Sequence, residues 1–251
     1  MRWPYMRLWA LLATAFAVML VLSTFDDLRV LGHSVAKVSP ASKTSQVGVS
    51  VADTSLRSRE AVRTDTVHHV ILFIGDSMLE GLSPRFAAYA KSNGHRLYTV
   101  IWYGSTTEKW ATSHRLKSYI RKFRPDYIVV CIGGNELFVR DLDHRSKMID
   151  GILSDIGNLP YVWIGPPNWK PDTGINRLIA SKVGDGHFFL SANLTLDRAS
   201  DGAHPTHEAA AVWMDSVAQW IAGKSACPMR LDRPRQQSAY ATRTIILTPD
   251  D

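Results

Sequence analysis

The amino-acid sequence predicts an α/β protein in which a parallel sheet of about five strands lies between two layers of helices. Five short runs of apolar and β-branched residues recur along the chain, at residues 67–74, 97–103, 127–132, 161–164 and 187–190. Between them lie stretches whose apolar residues repeat at helical spacing. Strands that alternate with helices in this way are typical of a parallel sheet covered on both faces, which is a three-layer α/β/α architecture.

The spacing of apolar residues and the residues that stop a helix support each predicted helix. The helix after the first strand has apolar residues at positions 86–90 and should stop at Asn93 and Gly94. The helix after the second strand, around residues 116–123, should end before Pro125 because proline cannot continue it. Further helices are predicted around residues 148–153, at residues 175–183 and after residues 205–206.

The first 25 residues differ from the rest of the chain. Residues 8–25 form an uncharged apolar run of 18 residues, and Arg2 and Arg7 precede it. As a helix this run is about 27 Å long, close to the roughly 30 Å hydrocarbon core of a bilayer. No clear cleavage site follows, so residues 1–25 are predicted to be a transmembrane signal-anchor, with a cleaved signal peptide as the alternative. Positive charge only on the N-terminal flank predicts that the rest of the chain is exported.

Three further segments follow the predicted anchor. Residues 26–66 are rich in Ser, Thr and scattered charge and have no sustained apolar period, which predicts a flexible linker. Residues 67–223 carry the alternating strands and helices and are predicted to form the folded domain. Residues 224–251 are predicted to be an irregular tail, in which residues 244–247 suit one short strand.

The charge and the cysteine content of the chain argue against two classes of protein. The chain has a net charge of +6, but residues 67–223 hold 16 basic and 15 acidic residues, so the folded domain is nearly neutral. A nucleic-acid partner is therefore not expected, because phosphate contacts need a concentrated excess of Lys and Arg. Cys131 and Cys227 are too few for a disulfide scaffold. Cys131 is expected to be an inert buried thiol, and its pairing with Cys227 stays open.

Glycine and polar residues collect where the predicted strands end. GDSM (residues 75–78) follows the first strand, YGS (103–105) the second and GGNE (133–136) the third, and DGAHP (201–205) precedes the last helix. In a parallel sheet, functional groups collect on the loops at the carboxyl ends of the strands. These four motifs are therefore expected to form one site.

In this order, the four motifs resemble those of the SGNH hydrolase superfamily, the GDSL-type esterases, across the whole predicted domain. The resemblance implies a flavodoxin-like sheet, with Ser77 as nucleophile and with Asp201 and His204 completing a catalytic triad. A serine hydroxyl is a poor nucleophile until an imidazole accepts its proton, and a carboxylate on the other ring nitrogen orients that imidazole. Ser77 and Asp201 could instead cap the helices that follow them, and His207 competes with His204 as the base.

The resemblance also implies an oxyanion hole. Its donors would be the backbone N–H groups of Ser77 and Gly104 and the side-chain amide of Asn135. Gly104 could instead be a plain turn residue and Asn135 a capping amide. Two positions depart from the family pattern: GDSM replaces GDSL, and GGNE replaces GxND, which puts in doubt any role for Glu136. Asp76 is expected to be structural, bonding the backbone of neighbouring turns.

Other candidate residues carry a weaker signal. Trp102, Tyr103, Asn168 and Trp169 follow predicted strands and are candidates for substrate contact, with aromatic stacking on a sugar ring set against ordinary packing. Neither a metal site nor an organic cofactor is predicted. The adjacent His68 and His69 lie in a predicted strand and would point to opposite faces, so they could not share a metal ion.

The sequence thus predicts a serine esterase that removes an acyl group, such as acetyl, from a cell-envelope carbohydrate on the extracytoplasmic, periplasmic side of the membrane. An alternative is an O-acyltransferase that passes the acyl group from Ser77 to a polysaccharide hydroxyl, with a membrane protein as the acyl donor. A further alternative is a non-catalytic binding scaffold. The expected partners are an ester-bearing small molecule or acylated carbohydrate and the membrane itself. A cleaved N-terminal segment would instead give a secreted enzyme.

Overall fold

The computed structural model describes Thr14, residues 29–30 and 33–34, and residues 68–250. The chain divides into two compact units, residues 1–57 and residues 58–251. In the first unit, β1 (Arg29–Val30) pairs antiparallel with β2 (His33–Ser34). Apart from Thr14, the predicted signal-anchor lies outside the described residues, as does most of the predicted linker. Among the residues that are described, no helix is both long enough and apolar enough to cross a bilayer.

The second unit contains a six-stranded sheet in which every neighbouring pair of strands is parallel. The strands are β3 (Val70–Gly75), β4 (Arg96–Trp102), β5 (Tyr127–Cys131), β6 (Tyr161–Ile164), β7 (Phe188–Phe189) and β8 (Arg243–Leu247). The order across the sheet is β7-β6-β5-β3-β4-β8. This is the flavodoxin-like order with one further strand added beside β4.

Helices cover both faces of this sheet, which confirms the predicted three-layer α/β/α class. The helices are α1 (Leu79–Ser92), α2 (Thr107–Thr112), α3 (Arg115–Phe123), α4 (Leu142–Ile156), α5 (Ile175–Val183) and α6 (His207–Lys224). Successive residues of β3 point to opposite sides, as in any strand: Ile71 and Phe73 pack with α1 and α6, whereas Leu72 and Ile74 pack with α2 to α5.

The C-terminal tail is more ordered than the sequence predicts. β8 pairs in parallel with β4, and Met229, Leu231 and Leu247 are buried. An unpaired β4 would expose a row of backbone donors and acceptors at the edge of the sheet, and the tail covers them. The folded unit therefore continues past residue 223, where the sequence pattern places its end.

The strand order creates a crevice at the carboxyl ends of β3 and β5. The chain runs from β3 to β4 on one side and then crosses back to β5 on the other side of β3. The helix that follows β3 lies on one face of the sheet and the helix that follows β5 lies on the opposite face. Ligands bind at such switch points in open α/β sheets. The GDSM and GGNE motifs both lie here.

Candidate active site

Ser77 lies in the sharp turn between β3 and α1. This turn requires glycine at position 75, since a Cβ there would lie 2.2 Å from the carbonyl oxygen of Cys131. Met78 is the N-cap of α1 and makes no side-chain cap. The Ser77 hydroxyl does not cap the helix either, and its Oγ lies 2.8 Å from Nε2 of His204. The alternative in which Ser77 only caps a helix is not what the structure shows.

His204 and Asp201 lie on the loop before α6. Nδ1 of His204 is 2.6 Å from one carboxylate oxygen of Asp201. The other carboxylate oxygen accepts the backbone N–H groups of Ala203 and His204, at 2.9 and 3.0 Å. The hydrogen bond from His204, together with these two backbone bonds, lowers the pKa of Asp201 to about 2. Asp201 is therefore ionised over the whole neutral range.

Hydrogen bonds identify the residue that caps α6 and the histidine that contacts Ser77. Thr206 caps α6, because its side chain accepts the backbone N–H of Ala209, so Asp201 is not the cap. His207 is the first residue of α6, and it is His204 that reaches the Ser77 hydroxyl. An ionised Asp201 places the proton of His204 on Nδ1, which leaves Nε2 to accept the proton of Ser77.

The predicted oxyanion donors lie on the loops that follow β3, β4 and β5. Gly104 has φ of +64°, a left-handed conformation that favours glycine. Asn135 uses one side-chain N–H to donate to the backbone oxygen of Ser105 at 2.9 Å, and its second N–H is not used by that bond. Within residues 68–250, the backbone N–H groups of Ser77 and Gly104 donate no hydrogen bond to another group of the protein. These donors are therefore available to a ligand.

Asp76 connects two of these loops by accepting hydrogen bonds from the backbone of each. Its carboxylate accepts the backbone N–H of Met78 at 3.0 Å and that of Gly134 at 3.1 Å. Its side chain is buried, and burial raises its pKa from the ordinary 3.8 to about 6. Asp76 thus holds the turn of Ser77 against the loop of Asn135, which is the structural role expected from the sequence.

The chain has little detectable similarity to known proteins. No protein-family model matches the chain, and no curated protein matches it. One similar solved structure is that of a gut microbial diltiazem-metabolizing enzyme, with 16% sequence identity and a TM-score of 0.44. The similarity covers 62% of this chain and 48% of the other, so the chain spans about half the length of that enzyme.

Glu136, the residue that differs from the GxND pattern, is buried and connects two segments of the chain. Its carboxylate accepts the backbone N–H of Thr107 at 2.8 Å and the Thr107 hydroxyl at 2.7 Å. It also lies 3.3 Å from Nε of Arg145, and its burial raises its pKa. Glu136 thus ties the loop of Asn135 to the start of α2, a role that the sequence motif does not indicate.

The four predicted substrate-contact residues lie in different environments. Trp102 is only 3% exposed and its Nε1 donates to the backbone oxygen of Thr248, so its ring is not open to a ligand, contrary to the expectation. It is buried because β8 and the residues after it cover the end of β4. The Tyr103 hydroxyl donates to Glu80 at 2.8 Å, which links the loop after β4 to the start of α1.

The loop after β6 supplies the other two candidates. Asn168 is exposed, and its side-chain oxygen accepts from Asn176. Trp169 is partly buried and donates from Nε1 to the backbone oxygen of Gly134 at 2.9 Å, while Nζ of Lys170 lies 4.6 Å from its ring centre. Trp169 therefore borders the loop of Asn135, and its packing holds that loop in place.

Arg198 is a residue of the site that sequence reasoning missed. Its guanidinium donates to the backbone oxygen of Ala203 at 2.8 Å and to that of Asn168 at 3.4 Å. It therefore fixes the loop of His204 against the loop after β6. Its nearness to Asp201 in the chain was the only available signal, and an isolated arginine three residues before a motif is too common to be informative.

Neither a metal centre nor a disulfide is found in the part of the chain that the structure describes. No cluster of three or more His, Cys, Asp or Glu side chains suited to a metal occurs among these residues. Cys131 and Cys227 are both free thiols. His69 pairs with Asp126, with Nδ1 and Oδ1 3.0 Å apart, which gives it a structural partner.

Proposed function

We propose that the protein is a serine esterase of the SGNH type, which hydrolyses an ester through an acyl-enzyme on Ser77. The observation that carries the proposal is the unbroken contact from Asp201 through His204 to Ser77, at 2.6 and 2.8 Å. Ser77 and His204 are 127 residues apart in the chain, so this contact is a product of the fold. A nucleophile, a base and a group that orients the base form the arrangement that acyl transfer needs.

The reaction has two halves. In the first, Oγ of Ser77 attacks the ester carbonyl and Nε2 of His204 accepts the hydroxyl proton. The tetrahedral intermediate then expels the alcohol, which takes that proton from His204, and the acyl group stays on Ser77. In the second half, a water molecule gives a proton to His204 and attacks the acyl-enzyme, which releases the acid and regenerates Ser77. Asp201 stabilises the imidazolium in both halves and keeps its negative charge.

The oxygen of the attacked carbonyl becomes an oxyanion, which needs hydrogen-bond donors. Three donors support its stabilisation: the backbone N–H groups of Ser77 and Gly104 and the free side-chain N–H of Asn135. Loss of one such donor from an oxyanion hole typically costs about 3 kcal/mol of transition-state stabilisation. Asp76, Glu136 and the packing of the adjacent loops support this arrangement before any substrate arrives.

The proposed substrate is an O-acyl group on a carbohydrate outside the cytoplasm. The apolar segment of residues 8–25 supports export and anchoring to the membrane, and protease accessibility of the folded unit in intact cells would test it. The loops at the site carry exposed polar side chains such as Asn168, which suit a hydroxyl-rich ligand. The same acyl-enzyme could pass its acyl group to a sugar hydroxyl instead of water.

Substitution of the nucleophile tests the esterase directly. The Ser77→Ala variant of the full chain should lose at least about a thousandfold in turnover of a small acetyl ester, because no acyl-enzyme can form. It should also lose covalent labelling by a fluorophosphonate probe. Ser118→Ala, a change at an exposed serine of α3, is the matched control and should retain both properties.

The outcomes separate the three function classes. Unchanged turnover in Ser77→Ala would refute the proposal, and a folded wild-type protein that never reacts with the probe would favour a binding scaffold. Incubation with an acyl donor and an oligosaccharide then distinguishes the two reactions. Free acid as the main product indicates hydrolysis, and acylated sugar as the main product indicates transfer.

A further inference from the structure

A groove runs along the surface between α1 and α6 and is walled on one side by the C-terminal tail. We name it the α1–α6 groove. Its main cavity, of about 660 Å³, is lined by Gly81 and Arg85 of α1, His207 and Val212 of α6, and Arg233 of the tail. A second cavity of about 560 Å³ shares Val212 and Arg233 with it, so the two lie next to each other along the groove. Each has a volume within the range of about 300–1,000 Å³ that is typical of ligand pockets.

The groove begins at the catalytic residues. A smaller cavity of about 270 Å³ is lined by Ser77, Asp201 and His204, and also by Gly81 and His207. Gly81 and His207 are therefore common to this cavity and to the groove. The cavity at the reacting hydroxyl therefore adjoins the groove along the N-terminal halves of the two helices.

The position of the groove fits the alcohol part of an ester. The carbonyl oxygen must face the donors at Gly104 and Asn135, whereas the leaving alcohol must face His204 to receive its proton. His204 lines the cavity that adjoins the groove, and neither Gly104 nor Asn135 does. An alcohol longer than one unit would extend from His204 past His207 into the groove.

The lining of the groove suits a hydroxyl-rich chain. Arg233 is 75% exposed and is held by Asp215, whose other oxygen accepts from the buried Arg85 and from Tyr89. Val212 is 62% exposed beside these charges, although it is an apolar residue. Fixed charged donors next to an apolar surface match a sugar chain, whose rings have hydroxyl edges and apolar faces.

We propose that the α1–α6 groove binds the alcohol part of the substrate, an extended carbohydrate chain of several sugar units that continues beyond the ester at Ser77. This proposal rests on the esterase function proposed above. It assigns Arg233 and Val212 to substrate binding, away from the reacting atoms. A small ester occupies only the cavity at Ser77 and does not contact either residue.

Chain-length dependence tests the groove. The full chain is assayed with a small acetyl ester and with chemically O-acetylated oligosaccharides separated into short and long fractions. The wild-type kcat/KM should be higher on long chains than on short ones. Arg233→Ala should reduce kcat/KM on long chains by roughly three- to tenfold, through KM, because it removes a hydrogen-bond donor to the sugar. Val212→Arg, which obstructs the groove, should have the same effect.

A matched variant controls for charge and stability. Arg230→Ala removes another exposed tail arginine that is also held in an ion pair, with Asp232, and that does not line the groove. It should leave the preference for long chains intact. In Arg233→Ala and Val212→Arg, the ratio of kcat/KM on long chains to kcat/KM on the small ester should decrease, whereas Arg230→Ala should leave that ratio at the wild-type value.

Two results would overturn the groove proposal. One is a wild-type enzyme whose kcat/KM is the same for short and long chains, and the other is a long-chain preference that Arg233→Ala and Val212→Arg leave unchanged. Failure of the esterase function itself is a separate result. It is recognised when Ser77→Ala turns over the small ester as fast as the wild type.

Discussion

At the scale of the residue, two aspartates of the site have opposite pKa shifts because their environments differ. Asp76 is buried and has its pKa raised to about 6, whereas Asp201 is solvent-exposed and has its pKa lowered to about 2 by hydrogen bonds. Both lie next to catalytic residues in the sequence, at positions one before Ser77 and three before His204. The exposed carboxylate keeps its charge and can stabilise an imidazolium, while the buried one organises backbone.

The raised pKa of Asp76 predicts a pH-dependent stability. A carboxyl whose pKa rises from 3.8 unfolded to about 6 folded stabilises the fold below about pH 4, and that contribution is lost as the pH rises through 6. The loss is on the order of 3 kcal/mol, since each pKa unit corresponds to about 1.4 kcal/mol. Asp76→Asn cannot titrate and serves as the reference.

Denaturant unfolding of the wild type and of Asp76→Asn at several pH values tests this pH-dependent stability. The free energy of unfolding of the wild type, relative to that of Asp76→Asn, should decrease between about pH 4 and pH 7. The substitution places an amide where a carboxylate oxygen accepts the N–H of Gly134, so the variant is expected to be less stable at low pH. A difference that stays constant or grows with pH would contradict the assignment.

At the scale of the element, the site depends on the close approach of β3 and β5. Gly75 ends β3 beside Cys131, the last residue of β5, and a Cβ at this position would collide with the backbone oxygen of Cys131 and with the side chain of Leu79. The backbone oxygen cannot move without separating the two strands. The turn that presents Ser77 therefore requires glycine for the packing of the sheet.

A pair of glycine substitutions tests this constraint. Gly75→Ala should lower the free energy of unfolding by about 1–3 kcal/mol, and should lower esterase turnover as well because Ser77 shifts. Gly223→Ala is the matched control: it lies near the end of α6 with nothing within 4 Å of the added Cβ. It should raise stability by up to about 1 kcal/mol, since alanine favours helix over glycine. A Gly75→Ala variant as stable and active as the wild type would refute the argument.

At the scale of the whole molecule, the C-terminal tail is part of the fold and of the site. It crosses α1, where Ala239 donates to the backbone oxygen of Pro84, and then enters the sheet as β8. Beyond β8, Pro249 lies beside Gly104, within 3.8 Å of where a Cβ would be. Tyr103 also donates its backbone N–H to Leu247 at 3.0 Å, so the tail supports the loop that carries the oxyanion donor.

Truncation tests the structural role of the tail. Deletion of residues 226–251 removes Met229, Leu231 and Leu247, whose burial contributes about 1.5–3 kcal/mol each. The sum, roughly 5 kcal/mol or more, approaches the whole stability of a typical domain. The truncated chain should therefore lose its cooperative unfolding transition in circular dichroism. Deletion of residues 249–251 alone leaves β8 in place and should preserve the transition. A cooperative transition in the longer deletion would contradict this role.

Much of this protein can be predicted from its sequence, because the relevant signals are local. Short runs of apolar residues for the strands and a period of 3.6 for the helices predicted the α/β/α class, since burial of a strand on both faces and of a helix on one face imposes these patterns on neighbouring residues. The motifs around Ser77, Asn135 and His204 indicated by their positions where the site lies, and their resemblance to the SGNH hydrolases supplied the expected role of each residue. Each is a short turn at the end of an element, and its residue types are set by that turn and by the chemistry it presents.

Only the tertiary structure decided the contacts that depend on distant parts of the chain. The pairing of β8 with β4, the burial of Asp76 and Glu136, the exclusion of Trp102 from the site and the bridging role of Arg198 have no local signature. The α1–α6 groove likewise exists only where two helices and the tail meet. Local periodicity reports which face of an element is buried, and the folded chain alone determines what is buried against it.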